Sequence, residues 1–104
     1  MLILPIKKKW FEMILSGEKT EEYREIKTYY SSRFVKAGLI SITPKGYISS
    51  GMSSIVIFRN GYSRKSPYFR ARVMASINKG KTEWGAKPEK KYFVLTILSI
   101  EESK

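Results

Sequence analysis

The sequence predicts an α+β domain in which a small β-barrel, or a strongly curved mixed sheet, is capped by one or two helices. Three observations carry this expectation. One segment near the start has apolar residues at helical spacing, several later segments are short or alternate with period two, and long Gly/Ser/Lys-rich stretches leave little room for further helix. With 42% hydrophobic residues in 104, the chain can bury one modest core, so residues 1–104 are expected to form a single domain. No internal repeat or interdomain linker is visible.

The elements follow in order. "LILPI" is an apolar run bounded by charge and predicts a first strand, with Pro5 placing it at a sheet edge or a strand end. From Lys8 to Ser16, Trp10, Met13 and Ile14 recur at helical spacing and Phe11 pairs with Leu15; Trp10 and Phe11 are read as core. Gly17 stands where a left-handed cap ends that helix. Thr20 to Arg24 alternates and contains β-favouring Thr and Tyr, which predicts a strand leaving the helix terminus. "TYYSSRFVKAG" predicts a second helix, with Tyr30 and Phe34 one turn apart and Gly38 beyond its end.

Residues 38–54 predict a short strand at Leu39 to Thr43 and then a mobile Gly/Ser/Pro-rich loop, poorly ordered near Ser49 to Ser53. Ile55 to Phe58 is a short buried strand, followed by a turn at Asn60-Gly61. In Tyr68 to Ile77, Phe69, Ala71, Val73, Ala75 and Ile77 form one face, while Tyr68, Arg70 and Arg72 make the other face aromatic and basic. "YFVLTILSI", Tyr92 to Ile100, is apolar on both faces and suits a central strand. The loop before it carries Glu83 and Trp84.

Twenty Lys and Arg against nine carboxylates give a formal charge of +11. A charge of that size points to an anionic partner, with nucleic acid ahead of a membrane surface. The nine acids are all glutamates, and there is no Asp, His or Cys. This excludes the usual zinc sites, a Cys-His pair and a Ser-His-Asp triad, so no metal or other cofactor is expected. Proton transfer near neutral pH would fall to Glu, Lys or Tyr in a structured pocket. The N-terminal apolar run is too short for a signal peptide and no segment suits a bilayer span, so the expected location is cytoplasmic.

The segment that concentrates chemistry is "GEKTEEYR", Gly17 to Arg24. As a strand it places Thr20, Glu22 and Arg24 on one face and Glu21 and Tyr23 on the other, with Lys19 at the rim. A carboxylate between two cations is tolerated in a partly buried site where a lone one would be expelled. Arg24 would then offer a planar fork to phosphate or a base edge, Lys19 a point charge, and Glu22 an acceptor for a nucleobase amine.

Taken with "FEMILS" before it, "IVIFRNGY" in the middle and "TEWG" ahead of "YFVLTIL", this segment resembles the ASCH family of the PUA-like superfamily. The resemblance spans nearly the whole chain, and Gly17, Lys19, Glu22 and Arg24 fit the family's G-x-K-x-x-E-x-R signature. It implies a PUA-like pseudo-barrel with a cleft beside the first helix that binds RNA or modified nucleosides, with Arg59 and Asn60 lining that cleft. Asn60 has a second reading as a turn residue. Trp84 either stacks a base or packs as a core or lid residue; Tyr68, Arg70 and Arg72 either track an RNA backbone or form an ordinary wet face. Lys7 to Lys9 and "KPEKK" are read as diffuse electrostatic surface.

Two functions follow. One is a nucleic-acid-binding module for RNA or a modified nucleotide. The other is a small hydrolase, since some ASCH relatives are amidohydrolases that deacetylate N4-acetylcytidine with a threonine nucleophile, a lysine and a glutamate, and others are proposed to cleave RNA. Lys19 matches that lysine, but Glu22 stands where the threonine would be. Thr20, two residues earlier on the same strand face, lies roughly 6–7 Å from that place. Glu83 is a candidate for the glutamate; if the protein is an enzyme, Lys19 and Glu22 form its acid/base pair. Binding is the preferred reading.

Overall fold

The computed structural model describes residues 1–103. Its elements run β1 (Leu2–Ile6), α1 (Lys8–Leu15), β2 (Glu21–Arg24), α2 (Thr28–Lys36), β3 (Ile40–Thr43), β4 (Gly46–Ser49), β5 (Ser54–Asn60), β6 (Tyr68–Lys79) and β7 (Lys91–Ser103). Five strands build one mixed sheet in the order β1-β5-β6-β7-β2, strongly curled into a half-barrel, and β3 and β4 form a separate hairpin. The α+β architecture with two helices is the one the sequence predicts.

The long β6–β7 pair is the spine, and its antiparallel register shifts at Arg70/Ala71 and at Arg72/Val73. Such irregularities sharpen local twist, which brings the two edge strands of the curled sheet toward one another. β1, parallel to β5 and carrying Pro5, is one edge; β2, antiparallel to β7, is the other. No backbone ladder joins them. A side chain does, because Arg24 Nη2 on β2 donates to the Pro5 carbonyl on β1 at 2.9 Å.

The core lies inside this curl. On β6, Phe69, Ala71, Val73 and Ala75 alternate inward and are buried, and α1 contributes Phe11 and Ile14. Phe11 packs on Phe69 with ring centroids 5.1 Å apart, and Phe34 of α2 meets Phe93 of β7 edge-on at 5.3 Å. β7 is buried on both faces only from Tyr92 to Leu95; Leu98 and Ile100 are exposed. β2 is four residues long and pairs only with Phe93 to Thr96, so the far half of β7 lacks the cover that its apolar sequence suggests.

The strand expected at Leu39 to Thr43 is β3, and the mobile loop expected after it is instead β4, which completes the β3–β4 hairpin. Its Gly, Ser and Pro residues are turn chemistry. Thr43 Oγ1 accepts from Lys45 N–H and donates to the Gly46 carbonyl, while Ser50 N–H donates to the Leu39 carbonyl at 3.0 Å and closes the hairpin's base. Tyr47 anchors it by packing on Phe93.

Candidate functional site

The site begins where α1 stops. Gly17 takes φ +84, its N–H donates to the Ile14 carbonyl, and Lys19 N–H turns back to the Met13 carbonyl at 3.0 Å. A left-handed residue at this point reverses the chain. That reversal sends the Lys19 side chain under the helix rather than out from it, and its side-chain exposure is 0%. The ammonium donates to Glu22 Oε1 at 2.8 Å and to the Trp84 carbonyl at 3.1 Å. It also lies 4.6 Å from the Trp10 ring centroid and 5.3 Å from that of Tyr23. The sequence places Lys19 at the rim; it is sealed beneath the floor.

Strand alternation supplies the rest. Glu22 and Arg24 sit opposite Leu95 and Phe93 and so face inward with them. Glu22 Oε2 accepts from Arg24 Nη2 at 2.8 Å, and the same nitrogen serves the Pro5 carbonyl. Arg24 Nη1 reaches the Tyr30 hydroxyl at 3.4 Å. The expected free fork is therefore partly engaged, and Arg24 doubles as the fastener of the half-barrel's seam. Burial pushes the Lys19 ammonium below its ordinary pKa of 10.5, with the Glu22 carboxylate opposing that push. Two cations around one carboxylate leave the floor with a net positive charge.

Above this floor opens a cleft of about 670 Å³. Trp10, Tyr30 and Trp84 give it aromatic walls, Asn60 and Tyr62 border it from the β5–β6 turn, and Lys7, Lys87 and Lys90 stand at its mouth. The 80–90 loop that carries Trp84 is pinned from the far side of β2. The Tyr23 hydroxyl accepts from Lys81 N–H at 2.9 Å and donates to Glu21 Oε1 at 2.7 Å. Burial drives that hydroxyl's pKa well above the ordinary tyrosine value. Gly80 allows the close approach, since a Cβ there would come within 2.7 Å of Ala86 Cβ and 2.8 Å of the Tyr23 ring.

The structure thus brings together Lys19, Glu22, Arg24, Asn60 and Trp84, and it separates the others. Asn60 pairs with Ile6 and shares its inward parity, whereas Arg59, one residue earlier, points to the outer face of the sheet. The expectation that Arg59 lines the cleft fails on this alternation; its Nε is buried without a partner among the described residues. Tyr68 and Arg70 also lie on the outer face, away from the cleft. Trp84 is half-buried and contributes a wall and a carbonyl. Glu83 and Thr20 are exposed and do not line the cleft.

Sequence reasoning missed three features. Trp10, read as core, flanks the buried Phe11–Ile14 stripe and walls the cleft. Tyr30 does so from α2, and the Tyr29-Tyr30 doublet opening that helix was the available signal. Lys7, Lys87 and Lys90, read as diffuse surface, converge only because the sheet curls. Among the described residues, no three carboxylate, His or Cys side chains gather as a metal-ion donor set, and no helix is long and apolar enough to cross a membrane. Comparison with protein-family models, curated proteins and solved structures finds no match to the chain.

Chemically, the cleft suits a flat, polar, anionic ligand. Its walls offer stacking surfaces and its mouth offers the Lys7 and Lys87 ammonium groups, with Lys90 paired to Glu25 at 3.1 Å. Each Glu22 oxygen is engaged once and retains accepting capacity, and Asn60 can both donate and accept.

Proposed function

We propose that the cleft binds RNA, or a modified nucleotide within it, holding one base against the aromatic walls and the adjoining phosphates at the lysine-lined mouth. The observation that carries this reading is the cleft floor of Glu22 and Arg24, braced from beneath by the sealed Lys19. Fixed charges in a partly dehydrated recess are pre-organised for polar recognition, and single-stranded RNA offers unstacked bases to such recesses. The resemblance to ASCH domains points the same way. Hydrolysis through a serine or threonine nucleophile gains less support, because no Ser or Thr lines the cleft among the described residues.

Both tryptophans of the chain, Trp10 and Trp84, border the cleft, so intrinsic fluorescence reports its occupancy. Single-stranded RNA and free nucleotides are expected to quench that emission saturably. The RNA affinity should fall with salt by a log–log slope of about 0.7 per phosphate contact. Trp10→Leu should weaken binding by about 1–3 kcal/mol, the usual worth of a stacked base. Unquenched emission across an RNA and nucleotide panel, with Trp10→Leu indistinguishable from wild type, would remove the proposal.

A further inference from the structure

The positive charge is not spread along the chain. Residues 1–25 carry five cations and five carboxylates and residues 83–104 four of each, whereas residues 26–82 carry eleven cations and no carboxylate. The formal excess of +11 therefore resides wholly in the segment that builds α2, the hairpin, β5 and β6. The cleft floor belongs to the balanced N-terminal part. None of those eleven cations lines the cleft, and three of them gather on a second surface.

That surface is a groove of about 840 Å³ at the far end of β1, β5 and α2 from the cleft. Arg33 and Lys36 of α2, Arg72 of β6 and the hydroxyl-bearing Ser53 and Ser54 line it, and no carboxylate does. Its two guanidinium groups are already oriented. Arg33 lies 3.6 Å from the Tyr29 ring centroid and donates through Nη1 to the Tyr29 carbonyl at 2.8 Å. Arg72 donates through Nη1 to Ser53 and through Nε to Glu101 on the neighbouring strand. Each arginine keeps unengaged N–H groups, and no ion pair occupies Lys36 among the described residues.

The path from cleft to groove runs along α2. Tyr29, Arg33 and Lys36 recur at i, i+4 and i+7, so they form one exposed stripe. Tyr30, the next residue after Tyr29, walls the cleft. The distance is bounded by β5, whose seven residues extend about 20 Å at roughly 3.3 Å each. That is within reach of the ~4–16 nucleotides that single-strand binders cover.

We propose that α2 and the groove at its end form a backbone track for single-stranded RNA, in which Arg33, Lys36 and Arg72 hold phosphates and Tyr29 stacks a base. This rests on the reading of the cleft as the anchor for one base of the same strand. A guanidinium held on one edge and open on the other matches a phosphate's paired oxygens, and although Arg33 covers one face of the Tyr29 ring, the residue stays 55% exposed to take a base. A bilayer surface would use the same charges but not the ring-and-fork alternation.

The test uses the full chain, fluorescein-labelled oligouridine of about nine nucleotides, and UMP. Arg33→Gln/Lys36→Gln is expected to weaken the oligomer on the order of tenfold and to lower its salt slope by about 1.4, near 0.7 per lost phosphate contact. Tryptophan quenching by UMP should stay as in wild type. A control pair, Lys8→Gln/Lys91→Gln, removes equal charge elsewhere and should change the oligomer affinity far less. In wild type, the Arg33 and Arg72 Nε–H NMR signals should move on adding oligomer, a readout independent of any variant's folding. Equal effects of the two pairs together with unmoved Nε signals overturn the track, as does tighter binding to phosphatidylserine vesicles than to oligouridine. If UMP fails to quench while the α2 pair still weakens the oligomer and the Nε signals move, the track stands and the cleft reading falls.

Discussion

Glu22 and Glu101 each accept from an arginine, at 2.8 Å and 3.1 Å, yet they stand in opposite electrostatic conditions. Glu22 is 7% exposed and held between Lys19 and Arg24, whereas Glu101 and Arg72 are each more than 40% exposed on the outer face of the sheet. The contacts are alike in chemistry and geometry. They differ in the water around them, and that sets what each is worth: an exposed pair contributes about 0–1 kcal/mol, while removing one member of a buried set strands the charges left behind.

The strongest attempt to break this contrast is Glu22→Ala, which leaves two buried cations facing each other. A loss of about 3–5 kcal/mol is expected, equivalent to a Tm drop of about 12 °C or more in a domain this small. Thermal melting followed by circular dichroism measures it, and a shift of only a few degrees would show the floor to be hydrated.

Gly80→Ala tests the Trp84-bearing loop without touching a charge. The new Cβ would collide with Ala86 and the Tyr23 ring, displacing the loop that presents the Trp84 carbonyl to Lys19. Overpacking of this kind costs about 1–3 kcal/mol. Denaturant unfolding should show that loss together with a changed tryptophan emission; unchanged emission would mean that the loop does not depend on this close approach.

Lys19→Met sharpens the comparison through pH. The substitution removes a donor from Glu22 and from the Trp84 carbonyl, at about 1–3 kcal/mol. Because burial lowers the folded-state pKa of Lys19 below 10.5, the unfolded chain keeps a proton that the folded chain releases between those two values. Stability from this group therefore rises with pH across that window. Urea unfolding from neutral pH to about 10 should move the wild type ahead of Lys19→Met as pH climbs, and a constant gap would contradict the burial. Smallest of all, Glu101→Ala should cost less than about 1 kcal/mol, an effect that 0.5 M salt should further reduce.

Much of the scaffold was legible because it rests on local rules. The helix stop at Gly17 follows from left-handed backbone, the inward face of β6 from strict alternation, and the edge position of β1 from Pro5. The shared face of Glu22 and Arg24 was legible for the same reason. Alternation also separates Arg59 from Asn60, but that could be applied only once the buried neighbour Phe58 fixed the parity of β5. β3 was legible, but its partner β4 was hidden because Gly, Ser and Pro serve a tight turn and a loose loop equally well; the Tyr47–Phe93 contact decides between them.

Local spacing and backbone chemistry by themselves determined which residues could form helix and strand, and that a carboxylate with two cations would sit beside the first helix terminus. The curl of the sheet decided the rest. It set the depth of Lys19, turned Arg24 into the bond across an open seam, and gathered Trp10, Tyr30, Lys87 and Lys90 around one recess. Those outcomes depend on contacts between residues far apart in the chain, such as the 65-residue span between Lys19 and the Trp84 carbonyl. Desolvation is a property of everything packed around a group, so no short stretch of sequence can specify it.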